Sequence, residues 1–297
     1  MQFRVGVIGA GRVGAVLASA LRSAGHQIVA VGGESNASRT RIETMLPGVP
    51  VAKPTAVARA ADLLLLTVPD DALDNVVRML VASGAIHSGQ YVVHTSGRHG
   101  LEILEPAAAI GARPIAMHPA MTFTGTDLDL PRLADCAFGV TAAAAERPVA
   151  ARLVDDFRGR IVWIDEENRT LYHAALAHGA NHLVTLVSEA MELLRSAGSD
   201  DPAATLRPLL TAALDNTLTF GDAALTGPIM RGDVETVRAH LASVALNQPS
   251  TLASYVAMAR ATAEHAVADG RLEPRRADEI VAVLDAAVLD PRAGRPA

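Results

Sequence analysis

The sequence predicts an α/β domain with a mostly parallel, doubly wound sheet, followed by an all-α helical domain. From Gln2 to about Asp165, short apolar runs (FRVGVIG, HQIVAVG, DLLLLTVP, QYVVHTSG, RPIAMHP, CAFGVTA, RIVWID) alternate with helical segments. Runs nearly continuous in Val, Ile and Leu and separated by helices suit strands covered on both faces of a parallel sheet. From Glu166 onward such runs stop, and apolar residues recur every three or four positions, the period of helices that pack by one face. The expected division is therefore residues 1–165 for the sheet domain, 166–290 for the helical domain and 291–297 for a disordered tail.

The helical half resolves into segments Thr170–Ala197, Pro202–Phe220, Asp233–Ala245, Ser250–Asp269 and Pro274–Leu289. Gly198 is placed to end the first, and Asp233 and Ser250 to N-cap the third and fourth. ALTGPIMRGD, Ala224 to Asp233, breaks the pattern with a Gly-Pro pair and an Arg-Gly-Asp turn, so it is read as a stiff corner between two helices. The apolar content of Leu183–Leu194 and Leu252–Ala266 exceeds what five helices obviously bury, which predicts a homodimer through the helical half.

Composition narrows the function. A chain of 297 residues that is 50% hydrophobic can build two cores. There is no run of eighteen apolar residues and no signal-like N-terminus, so a cytoplasmic protein without membrane insertion is expected. A net charge of -6, no basic stripe and few aromatic residues argue against nucleic acid as a partner. Cys136 stands alone and reads as a small buried hydrophobe. His94, His118 and a third histidine lack the close spacing of metal ligands, so no metal is expected. The basic residues are twenty-five arginines and a single lysine, Lys53, which leaves lysine chemistry one candidate.

Within VGVIGAGRVGAVLASAL the pattern G-x-G-x-x-G falls on Gly9, Gly11 and Gly14, after a strand and opening a helix. Gly9 permits a tight turn, Gly11 lets backbone approach a pyrophosphate, and Gly14 lets helix and strand pack closely. The N–H groups of Ala10, Gly11, Arg12 and Val13 stand free for phosphates at the helix start. A Rossmann domain that binds a nicotinamide dinucleotide follows. After the second strand comes ESNASRTR: Glu34 could bind a ribose 2′-OH, as NAD requires, whereas Ser35, Ser38, Arg39 and Arg41 suit the 2′-phosphate of NADP. NADP is the preferred reading and NAD the alternative. Three further strands end in polar residues: Val68-Pro69-Asp70, His94-Thr95-Ser96-Gly97 and His118-Pro119. At the carboxyl edge of an open sheet these form a floor, with Val68, Pro69 and His94 toward cofactor and Thr95, Ser96 and His118 toward substrate.

Together with Phe123, Tyr172-His173, Asn181, Leu225-Thr226-Gly227-Pro228 and Arg231-Gly232-Asp233, these motifs resemble a bacterial family of Rossmann-like two-domain proteins with a C-terminal helical domain of unknown function. More broadly the chain is similar to the 6-phosphogluconate dehydrogenase-like superfamily, which includes β-hydroxyacid dehydrogenases, pyrroline-5-carboxylate reductases and ketopantoate reductases. The resemblance implies an NADPH-dependent reductase of a small 2-oxo acid, with ketopantoate first among substrates. It also exposes a departure. Related reductases carry an acidic lysine on the first long helix after the sheet, and this helix has none. His173 takes a comparable place with Asn181 two turns on, so His173 is the expected proton donor and Asn181 its helper. Thr226 and Arg231 are then expected to hold the substrate carboxylate, or alternatively to serve only the helix corner. An imine reductase and a non-catalytic dinucleotide sensor are the competing functions.

Overall fold

The structure, a computed structural model, describes residues 2–33 and 35–289. Glu34 and the tail 291–297 lie outside them. Contacts divide the chain into two compact units, Met1–His178 and Gly179–Ala297.

The first unit is built on one seven-stranded sheet of order β2-β1-β3-β4-β5-β6-β7. The strands are β1 (Arg4–Ile8), β2 (Gln27–Gly32), β3 (Leu63–Leu66), β4 (Tyr91–His94), β5 (Arg113–Pro119), β6 (Ala137–Ala142) and β7 (Arg160–Trp163). Each falls inside an apolar run identified in the sequence. Neighbours are parallel except β5 and β6, which run antiparallel. Strand direction does not show in an apolar run, so this reversal was invisible to the pattern. Helices α1 (Arg12–Ser23), α2 (Asn36–Met45), α3 (Pro54–Ala60), α4 (Asp70–Ala82), α5 (Glu105–Ala108), α6 (Leu130–Leu133) and α7 (Arg147–Asp156) connect the strands. β3 shows why the sheet needs cover on both sides. Its four leucines are each at most 1% exposed, Leu63 and Leu65 in a core with Val5 and Leu17, Leu64 and Leu66 in a second core with Val57 and Val77. Each such side chain stabilises the fold by roughly 1.5–3 kcal/mol.

The unit runs past Asp165 to include α8 (Arg169–Leu176), because Arg169, Tyr172 and His173 of that helix pack on the sheet residues described below. A π turn, Ala177–Asn181, follows, and the division between the units falls within it. Such turns insert an i→i+5 bond into helical structure. Asn181 therefore does not stand two regular α-helical turns beyond His173, as the sequence suggests.

The second unit contains α9 (His182–Ser196), α10 (Pro202–Phe220), α11 (Gly227–Met230), α12 (Val234–Asn247), α13 (Leu252–Ala268) and α14 (Pro274–Leu289). Its core joins Val237, Leu241 and Val244 of α12, Leu252, Val256 and Ala259 of α13, and Ile280 and Leu284 of α14. Gly198 follows α9 at φ +92°, and the Asp233 carboxylate accepts the Thr236 N–H as the N-cap of α12. Ser250 does not cap α13. It lies inside a 3-10 turn, Pro249–Thr251, which places Thr251 at the cap position instead. No helix among the described residues is long and apolar enough to cross a membrane.

Candidate functional site

β1 ends at Ile8, and the chain reverses at Gly9, whose φ of +98° disfavours any side chain. The N–H groups of Gly9 and Ala10 both donate to the Gly32 carbonyl at the end of β2, at 2.9 and 3.0 Å. From the next strand, Thr67 Oγ1 donates to the Gly9 carbonyl at 2.6 Å. A Cβ on Gly14 would strike that same hydroxyl and carbonyl, so glycine there lets α1 sit against the turn. Gly11 differs: a Cβ there would meet only the Gly9 carbonyl, at 3.9 Å. The open side of the turn is thus the side that carries the uncapped start of α1, the arrangement that receives phosphate oxygens. Contrary to expectation, two of the four N–H groups are not free: that of Ala10, which is fully buried, goes to Gly32, and that of Gly11 donates to the Gly9 carbonyl at 2.6 Å, while Val13 packs its side chain against the core.

β1 pairs with β2 on one side and β3 on the other, the point where the winding of the sheet reverses and ligands settle. A cleft of about 460 Å³ opens there, lined by Gly9, Gly32, Gly33, Lys53, Val68 and Val76 among others. Val68 lines it directly, while Pro69 stands at the N-cap of α4. Of the 2′-phosphate candidates, Ser35 is committed to α2, its Oγ accepting the Ser38 N–H at 3.1 Å. Arg39 is exposed on α2. Arg41, two residues later, instead comes together with Arg12: a Cβ on Gly125 would lie 2.8 Å from Arg41 Nε and 2.9 Å from Arg12 Cγ. Neither arginine forms an ion pair among the described residues. Arg41 therefore stands beside the residue that opens α1, whereas nothing comparable places Arg39.

The polar floor is organised by a residue the sequence reading passed over. Arg169 of α8 is 1% exposed, and its guanidinium donates from Nη1 to the Gly139 carbonyl at 2.9 Å and from Nη2 to the Ser96 carbonyl at 2.5 Å. Its Nε is buried without a hydrogen-bond partner among the described residues, and burial holds its pKa below the ordinary arginine value. Glu166, just before α8, accepts the N–H groups of Leu101 and Glu102. Three glycines make room for this edge: a Cβ at Gly97 would collide with the His173 ring, at Gly100 with the Glu166 carboxylate, and at Gly139 with the Tyr172 ring.

His94, expected against the cofactor, has a different task. It is fully buried, its Nε2 donating to the Gly100 carbonyl at 2.7 Å while Nδ1 accepts the Ser96 N–H at 3.2 Å. Both ring nitrogens are therefore consumed in holding the turn, and desolvation pushes its pKa down to about 4. Ser96, expected at the substrate, is likewise buried, its Oγ accepting the His99 N–H at 3.2 Å. Thr95 stays partly exposed. His118 and His173 do meet, their rings edge to face with centroids 5.8 Å apart, and Tyr172 joins them at 5.7 Å from His118. The Tyr172 hydroxyl lies 3.1 Å from His118 Nδ1. Burial first, then the positive Arg169, bring His118 down to about 4.

In the second unit, Thr226 stands extended at the N-cap of α11 without a side-chain cap bond, and Arg231 is exposed just past its end. Asp233 does not pair with Arg231 but bonds Thr236 through both carboxylate oxygens, at 3.1 and 2.7 Å. Asn181 is exposed within the π turn.

Residues 1–119 match the model of a Rossmann-like domain. Residues 136–262 match a domain of unknown function, DUF2520. No curated protein matches the chain. Among solved structures, one from Bacteroides fragilis described as an NADP oxidoreductase is 21% identical over 89% of this chain and 98% of its own, with a TM-score of 0.75. A Thermotoga maritima protein, TM1727, is 19% identical over 89% of this chain and 99% of its own, with a TM-score of 0.64. The Plasmodium falciparum pyrroline carboxylate reductase with NADP bound is 13% identical over 95% and 98%, at 0.58. At such identities the likeness speaks for the fold.

Arg169, Tyr172 and His173 share the i, i+3, i+4 spacing of one helix face, a signal present in the sequence that could have tied all three to the site. Among the described residues, no group of three or more His, Cys, Asp or Glu is arranged to hold a metal ion. Cys136 is buried and its thiol is pushed up to about 11, first by burial, so it stays protonated and inert.

Proposed function

We propose that the protein is an NADPH-dependent oxidoreductase that reduces a small 2-oxo acid, with ketopantoate to pantoate as the specific reaction. The observation that carries this reading is the glycine turn: its open Gly11 side, the uncapped start of α1 and the Arg12–Arg41 pair fit a dinucleotide bearing an extra phosphate. When bound, that dinucleotide supplies the hydride. The chain itself offers the acid, from His118 or His173, on the carboxyl edge of the same sheet. Asn181, Thr226 and Arg231 are the proposed substrate contacts of the helical unit, where a guanidinium suits a carboxylate. A homodimer through α9 and α10 completes the proposal.

Imine reduction is the second reading, favoured by the likeness to the NADP-bound pyrroline carboxylate reductase. Calorimetry followed by turnover assays tests both. Intact protein is expected to bind NADPH in preference to NADH, and Gly11→Asp to lose binding because its carboxylate would face the pyrophosphate. Faster turnover of a cyclic imine than of any keto acid would move the assignment to the second reading. Tight NADPH binding without turnover of either would leave a sensor.

A further inference from the structure

The geometry points to His118, locked by Tyr172 with its proton on Nε2, as the group that holds the reacting oxygen of the substrate and hands it a proton. The inference rests on the reductase reading and settles which of the two facing histidines acts.

The phenolic oxygen of Tyr172 has two neighbours. One is His118 Nδ1, at 3.1 Å; the other is Gly139, whose missing Cβ makes room for the phenol. Gly139 pairs with His118 in the β5–β6 ladder, and its carbonyl is taken by Arg169 Nη1. Among the described residues Nδ1 is then the acceptor for the hydroxyl, so the tyrosine proton points at Nδ1, which must be the lone-pair nitrogen. A neutral imidazole with a capped Nδ1 carries its hydrogen on Nε2. That nitrogen has no hydrogen-bond partner among the described residues, and His118 keeps part of its surface open. His94, which ends β4 opposite Ala116, provides the contrast: its Nε2 is spent on Gly100.

The groups packed around His118 agree on its charge. Arg169 and His173 on α8 both disfavour a second proton, and only Asp70, at the start of α4, weakly favours one. The ring is therefore a neutral donor at physiological pH, of the kind that polarises a carbonyl without being an imidazolium. Balance is simple. The reduced dinucleotide named above is the hydride source for the carbonyl carbon; the oxygen then takes the Nε2 proton, and Nδ1 takes the Tyr172 proton. The phenolate left behind has the Arg169 guanidinium 5.8 Å from its ring centroid, until solvent returns a proton. Burial raises the tyrosine pKa, against the pull of Arg169, with Cys136 adding slightly to the rise, so the hydroxyl is protonated through the working range. Tyr172 is thus a positioning residue and His118 the catalytic one.

Imidazole nitrogen shifts in a long-range 1H–15N spectrum of the full-length, 15N-labelled protein test this without any dinucleotide. The expected wild-type result is a neutral Nε2–H ring at His118 from pH 8 down to about 5. In Tyr172→Phe the His118 signal should move toward a mixture of tautomers, while His94, held by Gly100, keeps its Nε2–H signature and certifies the fold. A wild-type His118 protonated on Nδ1, or one that titrates with the exposed histidines, overturns the inference even if Tyr172→Phe fails to fold. So does a His118 signal indifferent to Tyr172→Phe. An NADPH titration of the same samples reports separately on the reductase reading.

Discussion

The two units solve burial differently. In the sheet unit, apolar residues of β1, β3 and β4 are enclosed on both faces, and the buried polar groups His94, Ser96 and Arg169 are bonded to backbone. In the helical unit α12, α13 and α14 share a core on which α9 packs Leu193, while α10 contributes no residue to it. Val184 is 67% exposed, Leu209 65%, Leu218 78% and Phe220 63%, and α10 buries only Pro202. A nineteen-residue helix so apolar and so bare is the observation behind the proposed homodimer. The sheet unit has a finished core, whereas the helical unit leaves apolar surface for a second copy to cover in that proposal.

The largest effect expected from that contrast is on assembly. Leu214→Glu combined with Leu218→Glu should turn a dimer into a monomer in light scattering, since each leucine would contribute about 2 kcal/mol and two-fold symmetry counts it twice. A wild-type monomer at micromolar concentration would remove the reason for the contrast.

Arg169→Leu breaks the sheet unit instead. It leaves the Ser96 and Gly139 carbonyls buried without donors, at about 3 kcal/mol in denaturant unfolding. Dimerisation should persist, because the substitution lies in the other unit.

Acid should separate the units next. Unfolded histidine titrates near 6.5 and folded His94 near 4, so on acidification the unfolded state takes the proton first. This contribution is intact above pH 6.5 and drains as pH falls toward 4, by about 2 kcal/mol between pH 7 and 5, with a similar loss from His118. His265 in the helical unit has the opposite sign: a hydrogen bond that it donates to the Asp222 carboxylate, then the charge of that carboxylate, raises the pKa, so its contribution is present in acid and lost as pH rises. Circular dichroism melts at pH 7 and 5 should show the sheet unit losing more. Equal losses would mean that His94 and His118 are not held neutral.

A smaller effect concerns cofactor choice. Arg41→Ala should weaken NADPH relative to NADH by about 1.5 kcal/mol, roughly tenfold, and Arg39→Ala by less. The reverse order in calorimetry would return the 2′-phosphate to Arg39.

Much of this frame was legible in the sequence. Pro202–Phe220 and Pro274–Leu289 match the expected helices end to end, because proline at a first turn marks a start that periodicity then extends. The glycine turn was legible because each glycine answers a separate backbone demand. What escaped depends on partners distant in sequence. A strand-end histidine looks the same whether its nitrogens face a ligand, as His118 can, or the backbone of its own turn, as His94 does. Arg39 and Arg41 were equivalent in a string of letters; only the loop at Gly125 separates them. Only its spacing from Tyr172 and His173 hinted at Arg169, and nothing local announced that a π turn would interrupt the helix at Ala177.

The measurement closest to the central claim follows one atom. Incubating the protein with ketopantoate and NADPH deuterated at the transferable C4 position should yield pantoate carrying deuterium at C2, by mass spectrometry, and His118→Gln should slow its formation by about 10²- to 10⁴-fold, the range for a lost general acid. His173→Ala should slow it less. Unlabelled pantoate, or none from protein that binds NADPH tightly, would contradict a ketopantoate reductase.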